Sequence, residues 1–126
     1  MAGIFLSLNS FTNQREAQKR ALIERNYNHI YNHELAHKMA GGALAGDIVI
    51  ERNSEGIPVA GHVSIKMPVL NRNNPQQTIN DADTVIRSAM APSDPSDQDY
   101  RVAAQARSIK AQAQQALNRK KLDLYA

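Results

Sequence analysis

From Gln14 to Ala40 the chain contains no glycine and no proline, and Gly41-Gly42 comes directly after. Nothing else in the sequence limits the fold so strongly. A run of that length without a breaker, closed by residues that enter a left-handed conformation at little cost, is the pattern of one long helix. Apolar or aromatic residues recur at Ala17, Ala21, Leu22, Ile23, Tyr27, Ile30, Tyr31, Leu35 and Met39, close to a helical period. Thr12 or Asn13 is the expected N-cap, with Glu16 in the first turn, and a single break is expected near Asn26 to Asn28.

Beyond Gly42 the elements are shorter and of mixed type. Asp47 to Arg52 reads as a strand, Asn53-Ser54-Glu55-Gly56 as a turn, and Ile57 to Lys66 as a second strand, so a hairpin is expected over about 47–66. Strand alternation puts Val63 and Ile65 on one face and His62, Ser64 and Lys66 on the other. After a loop rich in Asn and Pro, helices are expected over about 76–90 and 96–117, the first with Ile79, Ala82, Val85, Ile86 and Ala89 on one stripe. Ser96 is the N-cap of the second, with Asp97 and Asp99 complementing its positive end, and Lys120 to Ala126 reads as a fraying tail. These elements add up to an α+β fold in one domain spanning 1–126: a long N-terminal helix, a β-hairpin and two C-terminal helices.

The absence of cysteine excludes disulfides and thiolate metal sites, so any transition metal must be held by His, Asp or Glu. With 5% aromatic residues and no Trp, the core has to rest on Leu, Ile, Val, Ala and Met. The apolar start, Met1 to Leu8, lacks the cationic region and length of a signal peptide, and no run reaches membrane-spanning length. A soluble, cytoplasmic protein without a membrane partner is the expectation. The net charge of +3 gathers partly in the tail, at Arg107, Lys110, Arg119, Lys120 and Lys121. No aromatic platform accompanies it, so the run reads as a solvated helix face and no nucleic-acid partner is expected. Nothing in the residues reports an oligomeric state.

His33-Glu34-Leu35-Ala36-His37 is a HExxH motif, and it falls inside the long helix just before its stop. Residues four apart share a helix face, so both imidazoles can reach one cation while Glu34 stands beside them to take a proton from a water. A catalytic zinc has three protein ligands and an open position. His29 and His62 are the only other histidines. His29 extends the same stripe, but the outer pair of three successive turns is about 12 Å apart, too far for one ion on a straight helix. His62 is therefore the expected third ligand, brought in by the hairpin.

Three segments carry a resemblance. His33 to Gly42 resembles the HExAH…GG segment of the SprA-related family, Pro58 to Ile65 its AVGGEVSID strand, and Ala89 to Asp99 its ALAPAxPSxQD stretch, with Val102 to Ala106 in step. The similarity runs in matching order from about Tyr31 to Gln112. It implies a bacterial, zincin-like metallopeptidase domain. This chain departs from the family pattern at His62, where Glu is usual, and at Lys66, where Asp is usual. The first exchange keeps a metal-binding group; the second removes a carboxylate available for orienting a ligand.

The function expected on these grounds is a zinc-dependent peptidase of the HExxH type. One zinc per chain would be held by His33, His37 and His62, with Glu34 as general base and a protein or peptide as substrate. Tyr27, Tyr31 and Tyr100 are the candidates for polarising the substrate carbonyl. The rival is a non-catalytic module, metal-stapled, that presents its final helix to a partner.

Overall fold

The computed structural model describes residues 2–125, with side chains from Asn9 to Tyr125. The architecture is α+β. Helix α1 (Ala2–Gly41) leads through a single 3-10 turn (Gly42–Leu44) into strands β1 (Ala45–Arg52) and β2 (Pro58–Ile65), then α2 (Pro75–Ala89) and α3 (Asp97–Tyr125). The side chains of the apolar start, Met1 to Leu8, lie outside the described residues.

The helix boundaries differ from expectation at three points. Helix α1 begins well before Thr12 and Asn13, and it continues through Asn26 to Asn28 without a break. Helix α3 continues past Leu117 to Tyr125, so the basic tail is helical. Neither extension contains Pro, and the tail of α3 offers good helix formers in Lys120, Lys121, Leu122 and Leu124, so nothing stops propagation once the helix is nucleated. The helix stop itself falls as expected, with Gly42 taking φ +53°.

The two strands pair antiparallel, with Ile48 opposite Val63, Val49 opposite His62 and Ile50 opposite Gly61. The inward side of the hairpin lies on α1, and the fit there is close. A Cβ on Gly61 would stand 2.5 Å from Ile30 Cγ2 and 3.0 Å from Glu34 Cγ. Gly61 therefore interrupts the strand because the backbone must approach the helix.

Helices α2 and α3 pack through small residues. Ala82, Val85, Ala103, Ala106 and Ala113 are fully buried, as is Thr78. Alanines on facing stripes let the backbones approach and give up little side-chain entropy on burial. Asn74 caps α2 by accepting from the Gln77 amide, and Pro75 at the first helical position lacks an amide that would otherwise go unpaired. The Thr78 hydroxyl donates to the Val69 carbonyl and accepts from the Asn71 amide, tying the preceding loop to the helix.

Gly61→Ala is expected to destabilise the domain by about 1–3 kcal/mol, the usual cost of overpacking a close contact. Ile30 Cγ2 sits on a branched carbon and cannot swing aside. Chemical denaturation of the variant against the wild type measures this, and an unchanged midpoint would refute the close approach.

Candidate metal centre

Late in α1, His33, Glu34 and His37 turn toward α2 and α3. These three form a group that can hold a metal ion, their ligand atoms lying within 4.8 Å of one another. Glu34 and His37 are buried, at 6% and 8% exposure.

The hydrogen bonds of the rings decide which nitrogens are available. The His37 Nδ1–H donates to the Ser88 carbonyl at 2.7 Å, and the Ser88 hydroxyl returns a bond to the His37 carbonyl at 2.7 Å. The His33 Nδ1–H donates to Asp94 Oδ1 at 3.1 Å. With both Nδ1 atoms engaged as donors, each neutral ring keeps its lone pair on Nε2, and the two Nε2 atoms lie 3.2 Å apart.

Asp99 adds a further acceptor beside the two nitrogens. Asp99 Oδ1 is 3.2 Å from His37 Nε2, and Asp99 Oδ2 is 3.3 Å from His33 Nε2. Asp99 arrives through the capping box of α3, in which its Oδ2 accepts the Ser96 amide at 2.8 Å while the Ser96 hydroxyl accepts the Asp99 amide at 3.1 Å. Three acceptor groups thus converge, and their mutual repulsion is relieved only by a cation or a proton. Ligands about 2.0–2.1 Å from a tetrahedral zinc are separated by about 3.3–3.4 Å, close to the observed spacings. The donor set therefore fits zinc.

His62 borders the cavity at the centre but is not part of the His33, Glu34 and His37 group. Its side chain is 54% exposed, and its Nδ1 lies 3.6 Å from Glu51 of the neighbouring strand. The alternation of β2 explains this: Gly61 faces Glu34, so His62 is carried to the opposite, outer side of the hairpin. A third ligand at His62 requires the helix on the His62 side of the strand. The helix lies on the side of Gly61, Val63 and Ile65, and the group that can hold a metal consists of His33, Glu34 and His37. His29 is exposed, with Nε2 3.8 Å from Asp94 Oδ2. Tyr27 and Tyr31 stack on each other at 5.6 Å, Arg52 lies over Tyr27, and Tyr100 is exposed. None of the three tyrosines lines the cavity at the centre. The Lys66 departure leaves the histidines' partners untouched, because Asp94 and the Ser88 carbonyl hold the two rings.

Asp99 escapes sequence reasoning, which sees in it only a charge favourable to the helix N-terminus. The Ser-x-x-Asp spacing of Ser96 and Asp99 is the available signal, since a capping box fixes where its carboxylate stands.

The centre opens into a cavity of about 520 Å³, walled by β2 on one side and by the start of α3 on the other. Burial raises the Glu34 carboxyl above the ordinary glutamate value; His37 and His33 pull it back, Asp99 raises it and His62 lowers it. The Asp94 carboxyl is lowered, chiefly by its hydrogen bond with His33.

The sequence matches the SprA-related family over residues 7–124. This chain is a member of the SprA-related family. No curated protein and no solved structure matches it. Among the described residues, no helix is long and apolar enough to cross a membrane.

The raised Glu34 value makes stability depend on pH. A carboxyl whose folded value exceeds its unfolded value binds more protons in the native state, so stability falls as pH rises through that interval. In chelator-treated, metal-free protein, Glu34→Gln is expected to raise the thermal midpoint at pH 7, with the gain vanishing below about pH 4. Thermal denaturation across pH measures it; an equal gain at both ends would assign the effect to something other than ionisation.

Proposed function

We propose that this member of the SprA-related family is a zinc-dependent peptidase whose metal is held by His33, His37 and Asp99 and whose general base is Glu34. The observation that carries the reading is the convergence of two Nε2 lone pairs and the Asp99 carboxylate beside a buried glutamate that opens into a cavity. Two imidazoles and one carboxylate match the ligand chemistry of hydrolytic zinc sites.

When bound, zinc supplies Lewis acidity and lowers the pKa of a water. The chain's own residues do the rest. Asp94 and the Ser88 carbonyl hold the two rings in the tautomer that presents Nε2. Glu34 accepts a proton as water adds to the scissile carbonyl carbon. It delivers that proton to the amide nitrogen as the C–N bond breaks, so one water is consumed and Glu34 returns to its starting state.

A metal-stapled assembly module draws support from one fact: Asp94 and Asp99 belong to the connection and first turn that join α2 to α3, so a metal would clamp α3 to α1. A structural zinc site, however, closes its fourth position with protein. Here the group of His33, Glu34 and His37 opens into a cavity, which favours catalysis.

Alanine at His33, His37 or Asp99 is expected to abolish stoichiometric zinc, whereas His62→Ala retains it. Elemental analysis of the purified variants decides this, and loss of zinc in His62→Ala would restore that residue as a ligand. Glu34→Gln is expected to keep the zinc and lower hydrolysis of a fluorescently labelled unfolded polypeptide by about 10²-fold or more. Unchanged turnover with zinc present would leave the staple as the better reading.

A further inference from the structure

The depression between α1 and β2 does not end at the candidate metal centre. Toward the start of both elements it continues into a second hollow of about 560 Å³. Arg25, Asn26, His29 and Ile30 border that hollow from the helix, and Pro58 and Val59 border it from the strand. Val59 adjoins Ala60, which lines the cavity of the centre, and His29 stands about one turn before His33. Asn26 Nδ2 donates to the Pro58 carbonyl at 3.1 Å and holds helix and strand together there. The two hollows are therefore successive along the same pair of elements.

Charge differs between the two ends. Glu34, Asp94 and Asp99 all stand beside the histidines of the centre. The second hollow has no carboxylate in its lining, and Arg25 is its one permanently charged side chain. The positions three and four residues away on α1 are Ala21, Leu22, Asn28 and His29, none of them acidic. Among the described residues, no carboxylate is paired with the Arg25 guanidinium. A planar guanidinium left without a partner offers two parallel donors that match a carboxylate. Arg25 precedes His33 by eight residues, which is about 12 Å along the helix axis. An extended chain covers that distance in about three or four residues.

We infer that Arg25 selects substrates that carry an Asp or Glu side chain about three or four residues to one side of the cleaved bond. This rests on the zinc-peptidase reading above and names a substrate class for it. The acids of the centre sharpen the selection. An acidic side chain close to the cleaved bond lies among Glu34, Asp94 and Asp99 and is repelled, whereas one at Arg25 is attracted.

The test compares the zinc-loaded full chain with its Arg25→Glu variant on acetylated, amidated dodecapeptides of Ala, Gln and Leu. Each peptide carries a single Glu or a single Lys at a varied position, and mass spectrometry locates every cut and gives its rate. The wild type is expected to cut Glu peptides about three or four residues from the Glu, on one side only, about fivefold faster than the matching Gln peptides. Raising the ionic strength from about 0.01 M to about 1 M should erase that difference, because the Debye length falls from about 30 Å to about 3 Å. Arg25 is exposed, so Arg25→Glu should keep its zinc and transfer the preference to Lys peptides at the same distance. Cuts at no fixed distance from Glu, or the same Glu preference in Arg25→Glu, overturn the subsite and leave the metal centre standing. No cut in any peptide by the zinc-loaded wild type overturns the peptidase reading, and the subsite falls with it.

Discussion

The Asp99 carboxylate belongs to two structures at once. One oxygen closes the capping box of α3 through the Ser96 amide, and the carboxylate as a whole meets the Nε2 atoms of both helix α1 histidines. The first of these is a local interaction, formed when α3 forms. The second is long-range, and it places the start of α3 against the last turns of α1. A carboxylate already held by a backbone amide loses little freedom on meeting a cation, which is how a ligand contributed by a helix N-terminus can be both precise and low in entropic cost.

The remaining packing serves that meeting. Ser88 sits at the end of α2 and exchanges hydrogen bonds with His37 in both directions, fixing α2 to α1 at the level of the centre. Gly41 allows the same junction from the other side, since a Cβ there would stand 2.8 Å from Ile65 and 3.0 Å from the Ser88 hydroxyl. Helix α3 is held to α2 by buried alanines, which fix the distance between the helices closely because there is no long side chain to absorb an error. Lys110 adds an ion pair with Asp83 across the same pair of helices at 2.8 Å. Partly exposed, it contributes little to stability, at most about 1 kcal/mol.

The electrostatics set the three acids apart. Asp94, exposed, is pulled down by its hydrogen bond with His33 and remains a carboxylate that orients a ring. Glu34, buried, is pushed up by desolvation, against the pull of His37 and His33. Asp99 places its two oxygens 3.2 and 3.3 Å from the Nε2 atoms of the two histidines. Three carboxylates within one small region thus differ in burial and in partners. Membership of the SprA-related family places the chain among relatives over residues 7–124, while these differences are read from this chain's own geometry.

Much of this was legible in the residues. The breaker-free run ending at Gly41-Gly42 and the apolar stripe of α2 declared their helices, because helix periodicity and stops are local. The HExxH spacing brought His33, Glu34 and His37 together for the same reason: residues within one or two helical turns are neighbours whatever the tertiary structure does. The third acceptor could not be read that way. Strand alternation placed His62 and Val63 on opposite faces, but it could not say which face would meet α1. Gly61 decided it, since only a residue without a side chain allows β2 to lie against Ile30 and Glu34, and His62 takes the other face of the strand, half-exposed at the rim of the cavity. Asp99 was visible as a capping residue, yet its distance from His37 in the sequence gives no measure of their distance in space. The sequence by itself determined the helices, the hairpin and the local grouping of His33, Glu34 and His37; the packing of the helices against one another decided that Asp99 meets the two histidines, because contacts between distant segments have no local signature.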